Sequence, residues 1–202
     1  MIDINTSNVE AIQTHISDNK INGYDALQVI KDASVIEVDE PTYARVKDIE
    51  FQNGTIEVKL YSRLLPDAPD YARGFIGITF RINEDNSMFE GIYVRPINGR
   101  CEIQSRRNSS TQYFSYPDYK FNHFRKEAPG MYESYTDIGL DEWIDVKIVV
   151  EGEHAKLYVN GATQPTLIVN DLKHGKDASG AIGLWVDIGT EGYFRDLKIT
   201  NK

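Results

Sequence analysis

Along this chain apolar and polar residues alternate over short runs, and helical spacing of apolar residues is scarce. Runs of that kind, rich in β-branched and aromatic residues and closed by Gly, Asn, Asp or Pro, predict strands. The sharpest case is residues 74–96. With Asn83-Glu84-Asp85-Asn86-Ser87 as the loop, Gly74–Ile82 pairs antiparallel with Met88–Arg95, and successive side chains fall on opposite faces. One face carries Ile76, Ile78, Phe80, Ile82, Met88, Ile92 and Val94, interrupted by Glu90, and is assigned to the core. The other carries Phe75, Gly77, Thr79, Arg81, Phe89, Gly91, Tyr93 and Arg95. It is either a shallow aromatic floor for a flat ligand or a surface on which rings cover glycines beneath a second layer.

Asn53-Gly54 predicts a tight hairpin leading into Thr55–Leu60, and Asn160-Gly161 predicts another, because both residue types tolerate positive φ. Strands predicted at Trp143–Val150, Ala155–Val159, Thr166–Leu172, Ala181–Ile188 and Tyr193–Thr200 read as one antiparallel meander, with Trp143 in the core and Trp185 free to face either way. Residues Ile97–Tyr135 break the pattern. Pro117, Pro129, Gly130 and polar clusters interrupt regular structure, while eight Tyr and Phe residues between Tyr113 and Tyr135 demand burial. The segment is therefore expected to fold over the sheet as a functional element.

Composition narrows the classes. At 202 residues the chain fits one large β sandwich, so residues 1–202 are read as a single domain. A hydrophobic fraction of 41% supports a core, and no run reaches the roughly 18 apolar residues of a membrane span. Lys plus Arg number 22 against 31 Asp plus Glu, and the net charge of -9 repels a phosphate backbone. Nucleic acid and membrane are thus not expected as partners, while oligomeric state is left open. Cys101 is the sole cysteine and forms no internal disulfide. The N-terminal MIDINTSNVEAIQTHIS lacks a basic n-region and an apolar h-region, so a cytoplasmic location is expected unless the chain is trimmed. The Asn-x-Ser/Thr matches at Asn5, Asn53 and Asn108 are taken as chance.

The pieces GFIGITFRI, FEGIYVRP, RRNSSTQY, KEAPGMYESY, WIDVKIVVEGEHAKLYVNGATQPTLIVNDL and GTEGYFRDLKI, in that order, resemble bacterial proteins of the concanavalin A-like lectin/glucanase superfamily. Within it they are most similar to laminin-G-like and 3-keto-disaccharide-hydrolase-like domains. The resemblance spans roughly residues 50 to 200 and implies an all-β fold, an antiparallel two-sheet jelly-roll sandwich with a concave face. Such folds serve as lectins, glycosidases, lyases and interaction modules, so site chemistry must decide.

The Glu-x-Asp-x-x-Glu strand of laminarinase-type members is absent, since Glu37-Val38-Asp39-Glu40 ends at Pro41. Candidate acids and bases are Glu90, Asp118, Glu127 and Glu133, with His123 as a proton carrier near neutral pH. Against this reading stands a plain one, in which such carboxylates face solvent or pair with arginines. No Gly-x-Ser-x-Gly elbow or phosphate loop occurs, and His15, His123, His154 and His174 lack zinc spacing. No metal or other cofactor is expected; Asn83-Glu84-Asp85-Asn86 offers oxygens for calcium but reads better as a solvated turn.

Arginine and amide forks for vicinal hydroxyls, with aromatic faces for pyranose C–H groups, are supplied by Tyr93, Arg95, Arg106, Arg107 and Asn108. Gln112, Tyr113, Arg125 and Tyr135 complete the expected ligand-binding set. The leading expectation is a carbohydrate-binding jelly roll, its ligand on the concave face beside residues 106–135. Two alternatives stay open: a glycoside hydrolase or lyase acting at the same site, and a laminin-G-like protein-interaction module.

Overall fold

A computed structural model describes residues 1–202. In chain order its elements begin with β1 (Val9–Ile12), β2 (Thr14–Ile21), β3 (Tyr24–Lys31), β4 (Tyr43–Val46), β5 (Gly54–Leu64), β6 (Ile76–Ile82) and β7 (Phe89–Val94). Then come α1 (Pro96–Gly99), α2 (Gln104–Arg107), β8 (Thr111–Tyr116), α3 (Phe121–Glu127) and β9 (Glu133–Ser134). The chain ends with β10 (Trp143–Glu151), β11 (His154–Val159), β12 (Leu167–Val169), β13 (Ala181–Val186) and β14 (Thr190–Asn201). Seven strands form a front sheet in the order β1-β4-β13-β6-β7-β8-β9, and seven form a back sheet in the order β12-β11-β10-β5-β14-β3-β2. The expected all-β, two-sheet jelly-roll sandwich is the fold observed.

The core lies between the sheets. Ile76, Ile78, Phe80, Ile92 and Val94 of the β6–β7 hairpin meet Ile56, Val58, Leu60, Ile144, Ile148 and Phe194 of the back sheet. Alternation along each strand puts these residues on the inner face, and their burial is the main stabilising term. The opposite face of the front sheet is also covered. Tyr43, Phe89, Tyr93, Phe114 and Trp185 form a second buried cluster there, with Tyr93 and Trp185 ring centroids 4.8 Å apart. Gly77 and Gly91 are no open floor. A Cβ on Gly77 would lie 2.3 Å from the Ile92 carbonyl oxygen, and one on Gly91 would lie 2.3 Å from the Phe114 ring. Of the two readings of this face, the covered one holds: the Phe114 ring closes over Gly91, and the backbone of the neighbouring strand closes on Gly77.

Other expectations also change. Arg81 has φ +55, and the ladder between β13 and β6 shifts register beside it. The bulge turns Arg81 to donate to the carbonyls of Gln52, Gly175 and Gly152 at 2.8–3.0 Å, while Ile82 joins the outer aromatic cluster. Met88, assigned to the core, is exposed. Asn53-Gly54 makes no hairpin: Phe51 bridges to Gly180 in the front layer, and Gly54 opens β5 in the back sheet, so the pair marks a crossing between layers. Asn160 and Gly161, both at positive φ, do connect antiparallel β11 and β12.

The C-terminal strands exist but are not one meander. β10, β11 and β12 are consecutive neighbours, whereas β13 crosses to the front sheet and β14 returns between β5 and β3. Trp143 is half-buried on the outer face of the back sheet against Tyr61, not in the main core. Residues 97–135 supply strand β8 to the sheet itself. Phe124 and Tyr132 then turn into the main core beside Tyr113, closing its end, while Phe121 and Arg125 of α3 stay on the outer side of the front sheet.

Candidate functional site

The segment between β3 and β4 builds the site. It brings Asp39 and Glu40 over the outer face of the front sheet, where the Trp185 indole N–H donates to the Glu40 carbonyl at 2.9 Å. The Glu40 carboxylate accepts from the Tyr116 hydroxyl at 3.2 Å and pairs with Lys120. Asp39 sits at φ +53, a conformation a non-glycine side chain adopts only when its surroundings hold it. Its amide donates to Asp187 Oδ2 at 3.0 Å, and its own carboxylate accepts the Phe121 amide at 2.7 Å. Asp187 pairs in turn with Lys31 at 2.6 Å, both side chains almost wholly buried.

Beside this network opens a pocket of about 260 Å³. Asp39 and Asp187 line one part of it, and Arg73, Arg95, Arg106 and Arg125 bring four guanidiniums to the same space. Tyr71, Phe75, Tyr93 and Phe121 add aromatic surface, and Asn98 and Ser109 add neutral polar groups. Arg95 is fixed: it donates to the Ser109 carbonyl, the Tyr93 hydroxyl and Gln112 Oε1 at 2.8–2.9 Å and reaches Glu133 at 3.2 Å. Arg125 lies over the Phe121 ring and donates to the same Glu133 oxygen at 2.6 Å.

Burial, reinforced by the neighbouring Asp187 charge, pushes the Asp39 carboxyl up to about 7. The Phe121 amide, Arg95 and Lys120 oppose that rise and do not cancel it. A carboxyl with this setting accepts or releases a proton near neutral pH, and such groups concentrate at functional sites. Burial also raises the Tyr93 hydroxyl well above its ordinary value, so it remains a neutral donor and acceptor.

Four of the nine expected ligand-binding residues, Tyr93, Arg95, Arg106 and Arg125, line this pocket. Gln112 stands behind it, holding Arg95. Arg107 turns away to lie over the Tyr135 ring and donate to its hydroxyl at 3.0 Å, because successive residues of α2 diverge around the helix axis. Exposed Asn108 accepts from Gln104 Nε2 at 2.7 Å. Tyr113 faces the core, where its hydroxyl donates to Glu90 at 2.7 Å and accepts from the Lys173 amide at 2.9 Å.

The expected acid–base set is not brought together. Glu90 is fully buried on the inner side of the sheet, accepting from Tyr113 and from the His174 amide at 2.9 Å. Asp118 and His123 are exposed, and Glu127 pairs with its exposed neighbour Lys126. Only Glu133 reaches the site, as the shared partner of Arg95 and Arg125. The turn considered for calcium spends its oxygens on protein donors: Asp85 accepts from Ser87, and Asn86 Oδ1 from Arg45 at 2.7 Å and Tyr43 at 3.0 Å. No three His, Cys, Asp or Glu side chains cluster as metal ligands.

Sequence reasoning missed Asp39, Arg73 and Asp187. Asp39 lies in Glu37-Val38-Asp39-Glu40, which does not match the Glu-x-Asp-x-x-Glu strand motif. The local mark is the carboxylate cluster Glu37, Asp39 and Glu40 ahead of Pro41; that the segment links strands of different sheets is visible only in the fold.

A family model described as the 3-keto-alpha-glucoside-1,2-lyase-like domain matches residues 5–200. The chain belongs to that family. No curated protein matches it. Among solved structures, the 3-keto-alpha-glucoside-1,2-lyase-like chain is similar to the carbohydrate-binding module CBM66 from Bacillus subtilis. Identity is 14% and TM-score 0.62, over 94% of this chain and 93% of that one. It is also similar to a protein from Parabacteroides distasonis ATCC 8503 provisionally assigned to the glycosyl hydrolases. There, identity is 17% and TM-score 0.60, over 98% and 95% of the two chains. At these identities the likeness is one of fold.

Proposed function

We propose that the protein binds a carbohydrate in the pocket between the Asp39 segment and the outer face of the front sheet. The observation that carries this reading is the pocket's composition: Asn98 and Arg106 beside the fixed Arg95, among the rings of Tyr71, Phe75 and Phe121. Forked donors suit vicinal hydroxyls and rings suit the C–H face of a sugar, and about 260 Å³ suits a small saccharide. Membership of the 3-keto-alpha-glucoside-1,2-lyase-like family and likeness to CBM66 support a sugar as the ligand class. The test is a glycan array followed by calorimetry. Arg106→Ala and Asn98→Ala are expected to weaken the best ligand about tenfold or more, each removing hydrogen bonds from a buried polar contact. An array with no responding glycan overturns the reading.

A second reading, that the bound sugar is also turned over, is favoured by Asp39. A pocket carboxyl pushed up to about 7 is suited to take a proton from, or give one to, a sugar in a lyase or hydrolase step. Turnover that follows the ionisation of one group near pH 7 and is abolished in Asp39→Asn, with binding retained, would support it. Unchanged sugars after prolonged incubation would leave a binding protein.

A further inference from the structure

The pocket holds more positive charge than its own carboxylates neutralise. Glu133 is shared by Arg95 and Arg125, and Lys31 pairs with Asp187. Arg73 and Arg106 have no carboxylate partner. Arg73 donates to the backbone carbonyls of Asp70 and Ala72, each at 2.7 Å, and Arg106 to the neutral Asn98 side chain at 3.2 Å. The two guanidiniums feel each other: partial burial, then repulsion from Arg106 and more weakly from Arg95, pulls the Arg73 pKa down, and Cys101 and Asp70 offset this only in part. Asp39 is the remaining carboxyl in the pocket, and it is the one whose ionised form is disfavoured. All this occurs in a chain of net charge -9.

Unpaired like charges crowded at the wall of a pocket are relieved by an anion, and the planar guanidinium fork matches an oxyanion in particular. We propose that the sugar bound here is acidic, with its oxyanion seated on Arg73 and Arg106 and its ring among the pocket aromatics. This rests on the sugar-binding reading of the same pocket. A uronate carboxylate, a phosphate ester and a sulfate ester share the required chemistry.

Calorimetry separates them: glucuronate and galacturonate, glucose 6-phosphate, and N-acetylglucosamine 6-sulfate, each against its neutral parent sugar, with inorganic phosphate as control. At least one acidic sugar is expected to bind about tenfold tighter than its parent, with affinity falling as salt rises. Arg73→Gln and Arg106→Gln should each erase that difference, and Arg106→Lys should restore part of it. The arm that responds identifies the anionic group. Neutral parents binding as tightly as the acids would overturn the inference and leave sugar binding standing. Inorganic phosphate binding as tightly as every acidic sugar would overturn it as well, because the ring would then contribute nothing. Absence of any binding, acidic or neutral, overturns both readings. Should the glutamine variants fail to fold by circular dichroism, the wild-type comparison of acid and parent decides alone.

Discussion

At the scale of single residues, Asp39 couples the site to stability. Its carboxyl is raised from an ordinary 3.8 to about 7 in the folded protein, so the folded state prefers the protonated form more than the unfolded chain does. The stabilising contribution is complete below about pH 4 and is lost as pH rises through about 7. Asp39→Asn keeps an acceptor for the Phe121 amide and cannot ionise. Urea unfolding from pH 4 to 8 should therefore show wild-type stability falling relative to the variant, by on the order of a few kcal/mol. Parallel pH profiles would refute that placement of the proton. Arg95 gives a second test. Arg95→Met strips four acceptors, Ser109 carbonyl, Tyr93 hydroxyl, Gln112 and Glu133, of a buried charged donor. A loss of about 3–5 kcal/mol in urea unfolding is expected, together with loss of ligand binding. A variant as stable as wild type would show the network to be dispensable.

At the scale of elements, the β6–β7 hairpin positions the pocket through its glycines. In Gly77→Ala the new methyl would lie 2.5 Å from Tyr93 Cα as well as against the Ile92 carbonyl, and backbone on the neighbouring strand cannot move aside as a side-chain tip can. The expected cost is at the upper end of about 1–3 kcal/mol, with weaker binding because Tyr93 and Arg95 shift with β7. Thermal unfolding and calorimetry on this one variant check both. The same hairpin shows what the sequence carries. Period-two alternation placed Ile76, Ile78, Phe80, Ile92 and Val94 correctly, because the pleat forces it. It failed at Arg81 and Ile82, because a bulge inverts the facing of every residue beyond it and leaves no mark in the residue types. Likewise Arg106 and Arg107 are adjacent in sequence but diverge around α2, so only one reaches the pocket. Asp39 and Asp187 meet at 148 positions' separation, a pairing that depends on which strands share a sheet and is invisible to local pattern.

At the scale of the whole molecule, one buried ion pair ties the two sheets to the segment that roofs the pocket. Lys31 ends β3 of the back sheet, and Asp187 follows β13 of the front sheet. Lys31 Nζ also donates to the Glu37 carbonyl, and Asp187 Oδ2 holds the Asp39 amide, so both partners grip the segment between β3 and β4. Two charges taken out of water repay their desolvation only together. Lys31→Met would leave Asp187 buried without its cation and place a second uncompensated carboxylate next to Asp39. The single variant is expected to lose about 3–5 kcal/mol, whereas Lys31→Met combined with Asp187→Leu should recover much of that loss, since an apolar pair of similar volume needs no counterion. Binding separates the two effects. The double variant regains stability but no longer anchors the Asp39 amide, so its affinity for the ligand should stay low while its unfolding midpoint returns toward wild type. If affinity recovers together with stability, the pair serves the sandwich alone and the pocket roof is held by Trp185, Tyr116 and Lys120 through Glu40.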